Sequence, residues 1–174
     1  MPASPAPRPR VSKGGVGLAA MLLVAAPFVA GWEGKSNAPY LDSVGVRTVC
    51  YGETRVEMRD YTDAECQEML AAGLEEFGSA VAKLAPGIED SPLEWAAHTS
   101  FAYNIGIVGY SKSSVLRLFK SGDRVGACRF MTRYKYAGGR VLAGLQYRRE
   151  GEGRRIGEAE LCLAGAVPAQ MEIA

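Results

Sequence analysis

The sequence predicts an α+β, mainly helical fold: a small α/β lobe and a larger helical lobe, joined by a long helix. Three observations predict it. A turn-rich stretch with one β-branched and aromatic run, VGVRTVCYG, occupies residues 32–51. A capped amphipathic pattern then continues from Thr62 to about Leu84. Beyond it, apolar residues recur at helical spacing in shorter segments opened by Pro, Ser or Asp. A cleft between two such lobes is a natural ligand site.

Residues 1–13 are basic and rich in proline, with Arg8, Arg10 and Lys13 and no acidic residue, and form no packed element. Residues 14–31 read GGVGLAAMLLVAAPFVAG and carry no charge. As a helix this stretch spans roughly 27 Å at about 1.5 Å per residue, close to the ~30 Å of a hydrocarbon core. Half of it is Gly or Ala, and Pro27 interrupts its end. Such a segment enters the export path but stays in lipid only marginally. A cleaved signal peptide, a permanent anchor and a buried helix are the other readings. Cleavage is disfavoured by Phe28 and Pro27 around the available sites. A permanent anchor calls for more Leu, Ile and Phe. A weak, releasable anchor fits the composition best, and the flanking positive charges keep its N-terminus cytoplasmic.

Residues 32–165 form the main domain. Pro39, Gly45 and Gly52 punctuate its hairpin region. Thr62-Asp63-Ala64-Glu65 is a capping box that opens the long helix. Its core face carries Met69, Leu70, Leu74, Phe77, Val81 and Leu84, and Pro86-Gly87 ends it. Pro92 opens a helix through Tyr103, Ser113 or Ser114 caps another, and Arg124 to Tyr134 is a further one. The last helix is expected from near Leu142 to Leu163, with residues 166–174 a frayed tail. Inside that helix RREGEG (148–153) is followed by RRIGEA (154–159), a six-residue tandem duplication. Six residues turn a helix by about 600°, so the insertion breaks register unless a turn near Gly151 and Gly153 loops out.

A length of 174 residues fits one domain plus an appendage, and 48% hydrophobic with 22% charged residues describes a globular chain. The net charge of +1 excludes bulk nucleic-acid binding, and removing the three basic residues at the N-terminus leaves the rest at −2. Long-range steering toward an anionic polymer is therefore weak. Cys50, Cys66, Cys128 and Cys162 show no metal-ligand spacing, and His98 is the only histidine, so no metal or other cofactor is expected. Reduced thiols and disulfides, in any of three full pairings, both stay open.

Glycoside hydrolysis needs a carboxylic acid on one face of the scissile bond and, for inversion, a water-orienting carboxylate on the other. Glu33, Asp42 and Thr48 stand at spacings that allow this, with Asp42 in a turn and Thr48 in the following hairpin. Glu33-x8-Asp42-x5-Thr48 resembles the catalytic triad of phage-type lysozymes, glycoside hydrolase family 24. The surrounding WEGKSNAPYLDSVGVRTVCYGET is similar to that family's signature, and YTDAEC, SFAYNIG, SSVLRLFKSGD, YKYAGG and GLQYRR continue the resemblance in order.

The resemblance implies a muramidase that cuts the β-1,4 bond between N-acetylmuramic acid and N-acetylglucosamine in peptidoglycan and so lyses the host cell. Glu33 is then the general acid, while Asp42 and Thr48 position or activate water. A lytic transglycosylase and a non-catalytic wall-binding protein are the alternatives. As acid, Glu33 needs a raised pKa, from partial burial or a like charge, with Trp32 and the apolar segment as candidates to supply it. Asn104 is a candidate sugar ligand or the closure of a helix end, and Tyr51 and Tyr40 border the cleft or belong to the core. His98 reads as a packed helix residue. Arg148 and Arg149, or their duplicates Arg154 and Arg155, are expected to pair with Glu150, Glu152 or Glu158.

The Gly/Ala-rich segment resembles the signal-anchor-release element of certain lambdoid-type phage endolysins. That resemblance implies a protein held at the host inner membrane and then released to the periplasm; a monomer is expected. With the segment in lipid, Glu33 lies only two residues past Gly31 and cannot reach Asp42 and Thr48.

Overall fold

The apolar segment forms helix α1 (Lys13–Trp32), and it is docked on protein. In the computed structural model, which describes residues 13–42 and 45–167, Met21, Ala25 and Val29 are fully buried. Their four-residue spacing places them on one face, whereas Leu23 is 79% exposed. Among the described residues no helix is long and apolar enough to cross a membrane. The basic stretch expected over 1–13 lies outside the described residues except for Lys13, as does the tail beyond Val167.

After α1, strands β1 (Ser36–Leu41) and β2 (Arg47–Cys50) pair antiparallel, Tyr40 opposite Thr48 and Leu41 opposite Arg47. The register shifts between Ser36 and Tyr40, the stretch holding Pro39, which has no N–H to give the ladder. Helix α2 (Asp63–Leu84) begins at Thr62 with both capping-box hydrogen bonds in place, as its sequence predicts. Helix α3 (Pro92–Ile105) is buried on every side from Glu94 to Ala102, and α1 and α2 lie against it. Docking of α1 uses a missing side chain: a Cβ on Gly78 in α2 would stand 2.3 Å from Met21 Cε.

The helical lobe continues with α4 (Ile107–Ser111), α5 (Ser114–Lys120, capped by Ser113) and α6 (Arg124–Phe130). A short hairpin of β3 (Tyr136–Ala137) and β4 (Arg140–Val141) leads to α7 (Ala143–Glu150) and α8 (Glu158–Ala166), the latter packed on α3. Two expected elements differ. Residues 131–133 are a 3-10 turn rather than the end of α6. The expected single last helix is two helices, because residues 151–156 loop out. Disulfides Cys50–Cys66 and Cys128–Cys162 select one of the three pairings, tying β2 to α2 and α6 to α8.

Candidate functional site

Glu33 is placed by the end of α1: its N–H donates to Val29 O at 2.9 Å, prolonging the helical pattern by one residue. Its carboxylate accepts from Arg148 Nη1 at 2.5 Å, 115 positions along the chain. The sequence suggests an apolar or anionic setting for this acid; the structure puts a guanidinium beside it instead. Arg148 is nearly buried, and it also donates through Nε to Glu158 Oε1 at 2.9 Å and through Nη2 to Ser100 O at 3.3 Å. Burial works against its charge, but Glu158 and Glu33 outweigh that and hold its pKa above the ordinary range.

The network extends. Ser100 Oγ donates to Glu158 Oε1 at 2.6 Å, Arg149 pairs with Glu158 Oε2, and Arg149 Nη2 donates to Asn104 Oδ1 at 2.5 Å. Both arginines therefore come from the first copy of the duplicated hexapeptide and their shared carboxylate, Glu158, from the second. Arg149 occupies the Asn104 oxygen, and the residue also borders the cleft.

That cleft encloses about 370 Å3, and Glu33, Tyr51, Glu53, Phe77, Tyr103 and Asn104 are among the residues lining it, as are Arg55 and Glu76. It lies in the size range of small-ligand sites, about 300–1,000 Å3. The Phe77 and Tyr103 rings meet edge to face at 5.3 Å, and Tyr103 OH donates to Tyr51 O at 3.5 Å. Burial, with Glu33 and Glu53 nearby, pushes the Tyr103 hydroxyl up to about 12, so it stays a neutral donor. Tyr103 and Glu53 are absent from the sequence-derived set, although each stands beside a candidate or inside its motif. A concavity of about 410 Å3 lined by Ser111–Ser114, Leu116, Arg117 and Lys120 holds no carboxylate and offers no acid for this chemistry.

Asp42 and Thr48 belong to the hairpin and are not among the residues lining the cleft. Asp42 Oδ1 accepts from Val46 N–H at 2.8 Å, and Thr48 Oγ1 donates to Val46 O at 3.0 Å. Val46 thus bonds both side chains, and Thr48 is buried. Gly45, at φ +82°, makes the left-handed turn that closes this loop. Tyr40 is partly exposed on β1, and Tyr51 is nearly buried in the cleft lining.

His98 is fully buried, its Nδ1 2.7 Å from Tyr110 OH, and burial followed by the charge of Arg124 pushes it down to about 3. It is a packed residue. Among the described residues, Glu94, Cys128 and Cys162 bring three ligand-type atoms together. Both sulfurs are bonded to each other and Glu94 carries Arg124, so this trio is no metal centre.

Residues 30–152 match the family described as phage lysozyme. The SAR-endolysin of Bacteriophage PS119 is 37% identical over 160 residues, covering 89% of this chain and 90% of that protein. The SAR-endolysin of Enterobacteria phage P21 is 36% identical with 89% and 92% coverage. Among solved structures, the endolysin from Escherichia coli O157:H7 phage FAHEc1 superposes with a TM-score of 0.67 at 26% identity, covering 92% of this chain and 98% of its own.

Proposed function

The chain belongs to the phage lysozyme family, and on that premise we propose that Glu33 is its general acid and that Asp42, with Thr48, orients and activates the attacking water. The protein is a glycoside hydrolase, a phage endolysin of muramidase type whose substrate is peptidoglycan. The observation that carries the assignment of the acid is the place of Glu33 in the cleft wall, where Arg148 fixes the position of its side chain.

In this reading the N-acetylmuramic acid to N-acetylglucosamine bond lies along the cleft. Glu33 gives its proton to the glycosidic oxygen as that oxygen leaves C1. Water on the opposite face loses a proton to Asp42 and attacks C1, so the anomeric centre inverts. Tyr51 and Asn104 bind the sugar rings, and Phe77 and Tyr103 offer them an aromatic wall. Replacing Glu33 with Gln keeps the hydrogen-bonding shape and removes the proton, so clearing of purified walls should fall about 10²–10⁴-fold. Clearing at the parent rate overturns the assignment. Product analysis decides the reaction class: reducing ends of inverted anomeric configuration are expected, whereas anhydro-sugars would mean a transglycosylase.

Residues 14–31 act, in the same proposal, as a releasable anchor that leads the chain to the host inner membrane, N-terminus cytoplasmic, before release to the periplasm as a monomer. Its composition supports this, as do relatives named SAR-endolysins over most of the chain. Fractionation with and without an uncoupler tests it: protein already soluble before depolarisation contradicts release.

A further inference from the structure

The loop created by the duplicated hexapeptide touches the last turn of α1. Residues 151–156 leave and re-enter the helical path at a narrow neck. A Cβ on Gly157 would stand 2.4 Å from Gly151 N and 2.5 Å from Arg149 O, so the two strands of the neck meet backbone to backbone. Gly151 and Gly153 take φ of +93° and +61°, a conformation that L side chains rarely adopt. Within the loop, Glu152 and Arg155 exchange both backbone hydrogen bonds, at 2.9 and 3.0 Å, and their side chains pair at 2.5 Å. Six inserted residues are thus spent on one closed turn, and the helix resumes with Glu158 against Arg148 and Arg149.

The exposed product of this turn is Arg155. Its Nη1 donates to Gly31 O at 3.0 Å, and its guanidinium stacks 4.3 Å from the centre of the Trp32 ring. Gly31 O is one of the carbonyls that a helix end leaves without an internal partner, and α1 has no basic residue of its own in its last turn. A cation there satisfies the carbonyl and opposes the negative end of the helix dipole. The next residue after Trp32 is Glu33.

We infer that the looped-out duplicate is a latch on the docked helix, and that Arg155 is a positioning residue that holds the end of α1 and, through it, the Glu33 carboxylate at Arg148. This rests on the assignment of Glu33 as the acid. Arg155 touches neither Glu33 nor the cleft lining, so it acts through the helix end alone.

Hydrogen exchange of the full-length released protein, with steady-state kinetics on soluble peptidoglycan fragments, tests the latch. In Arg155→Ala, amides 29–33, including the Glu33 N–H bonded to Val29 O, should exchange about 3- to 10-fold faster, the size of one stacking and one helix-end contact. Amides of α3 and α8 should not change. kcat should fall by a similar factor with KM unchanged, and Arg155→Lys, which keeps the charge without the planar stack, should lie between. Deletion of residues 151–156 restores a single RREGEA, keeps the Arg148–Glu158–Arg149 cluster and should reproduce the alanine result. Parent-like exchange at 29–33 in both Arg155→Ala and the deletion overturns the latch, as does equal acceleration throughout α3 and α8. Faster exchange with parent-like kcat overturns the positioning of Glu33. Should Glu33→Gln retain full activity, the assignment of the acid fails, and the exchange data alone still decide whether the latch exists.

Discussion

Arg148 holds two carboxylates at once, Glu33 at the cleft and Glu158 in the core, and this double load sets what its replacement does. Arg148→Met leaves Glu158 fully buried with one partner fewer. We expect a loss of about 3–5 kcal/mol in urea unfolding, the cost typical of breaking a buried pair from one side. Arg148→Lys keeps a positive charge but not the fork that reaches Glu33, Glu158 and Ser100 together. Its wall-clearing rate should therefore fall further than its stability does. His98 gives the fold a pH dependence of its own. Its folded pKa, about 3, lies below its ordinary value of 6.5, so the unfolded chain takes up the proton first. The stability it secures is complete above pH 6.5 and is lost as pH falls toward 3, at up to about 1.4 kcal/mol per pH unit. Between pH 6.5 and 5, the urea midpoint should drop in the parent and stay nearly flat in His98→Gln.

At the scale of elements, α1 is held by a single face. Met21→Ala empties the contact over Gly78 and should destabilise the released protein by about 2–5 kcal/mol in urea unfolding, the range for a truncated core methionine. Leu23→Ala, on the exposed face, should cost under about 0.5 kcal/mol by the same measurement. What the sequence reveals of these elements follows from where their determinants lie. The capping box at Thr62 and Glu65, the Pro92 and Ser113 helix starts and the Gly45 turn are local, and each is found where its neighbours predict. The break between α7 and α8 is legible only in outline: Gly151 and Gly153 mark a turn, but which arginines meet which glutamate depends on how the neck closes. Glu33 with Arg148 depends on 115 residues of intervening chain, and no local pattern encodes it. The spacing of Asp42 and Thr48 places both in the hairpin, whereas Tyr103 and Glu53 come to the cleft only in the folded chain, where Tyr103 OH donates to Tyr51 O.

For the molecule as a whole, the two disulfides brace different regions, β2 to α2 and α6 to α8. Removing Cys128–Cys162, which closes the longer loop, should cost about 2–5 kcal/mol in chemical unfolding while leaving the α1 contacts in place. In the proposed function, location and activity are coupled through one residue position: α1 docked on α2 and α3 brings Glu33 to Arg148, and insertion of α1 in lipid would withdraw it. The most direct test is the muramidase rate per molecule of vesicle-bound and released fractions of one preparation, measured on the same soluble peptidoglycan fragments. The released fraction should turn over and the bound fraction should be slower by about a hundredfold or more, the effect of removing a general acid. Equal rates in the two fractions would contradict this coupling.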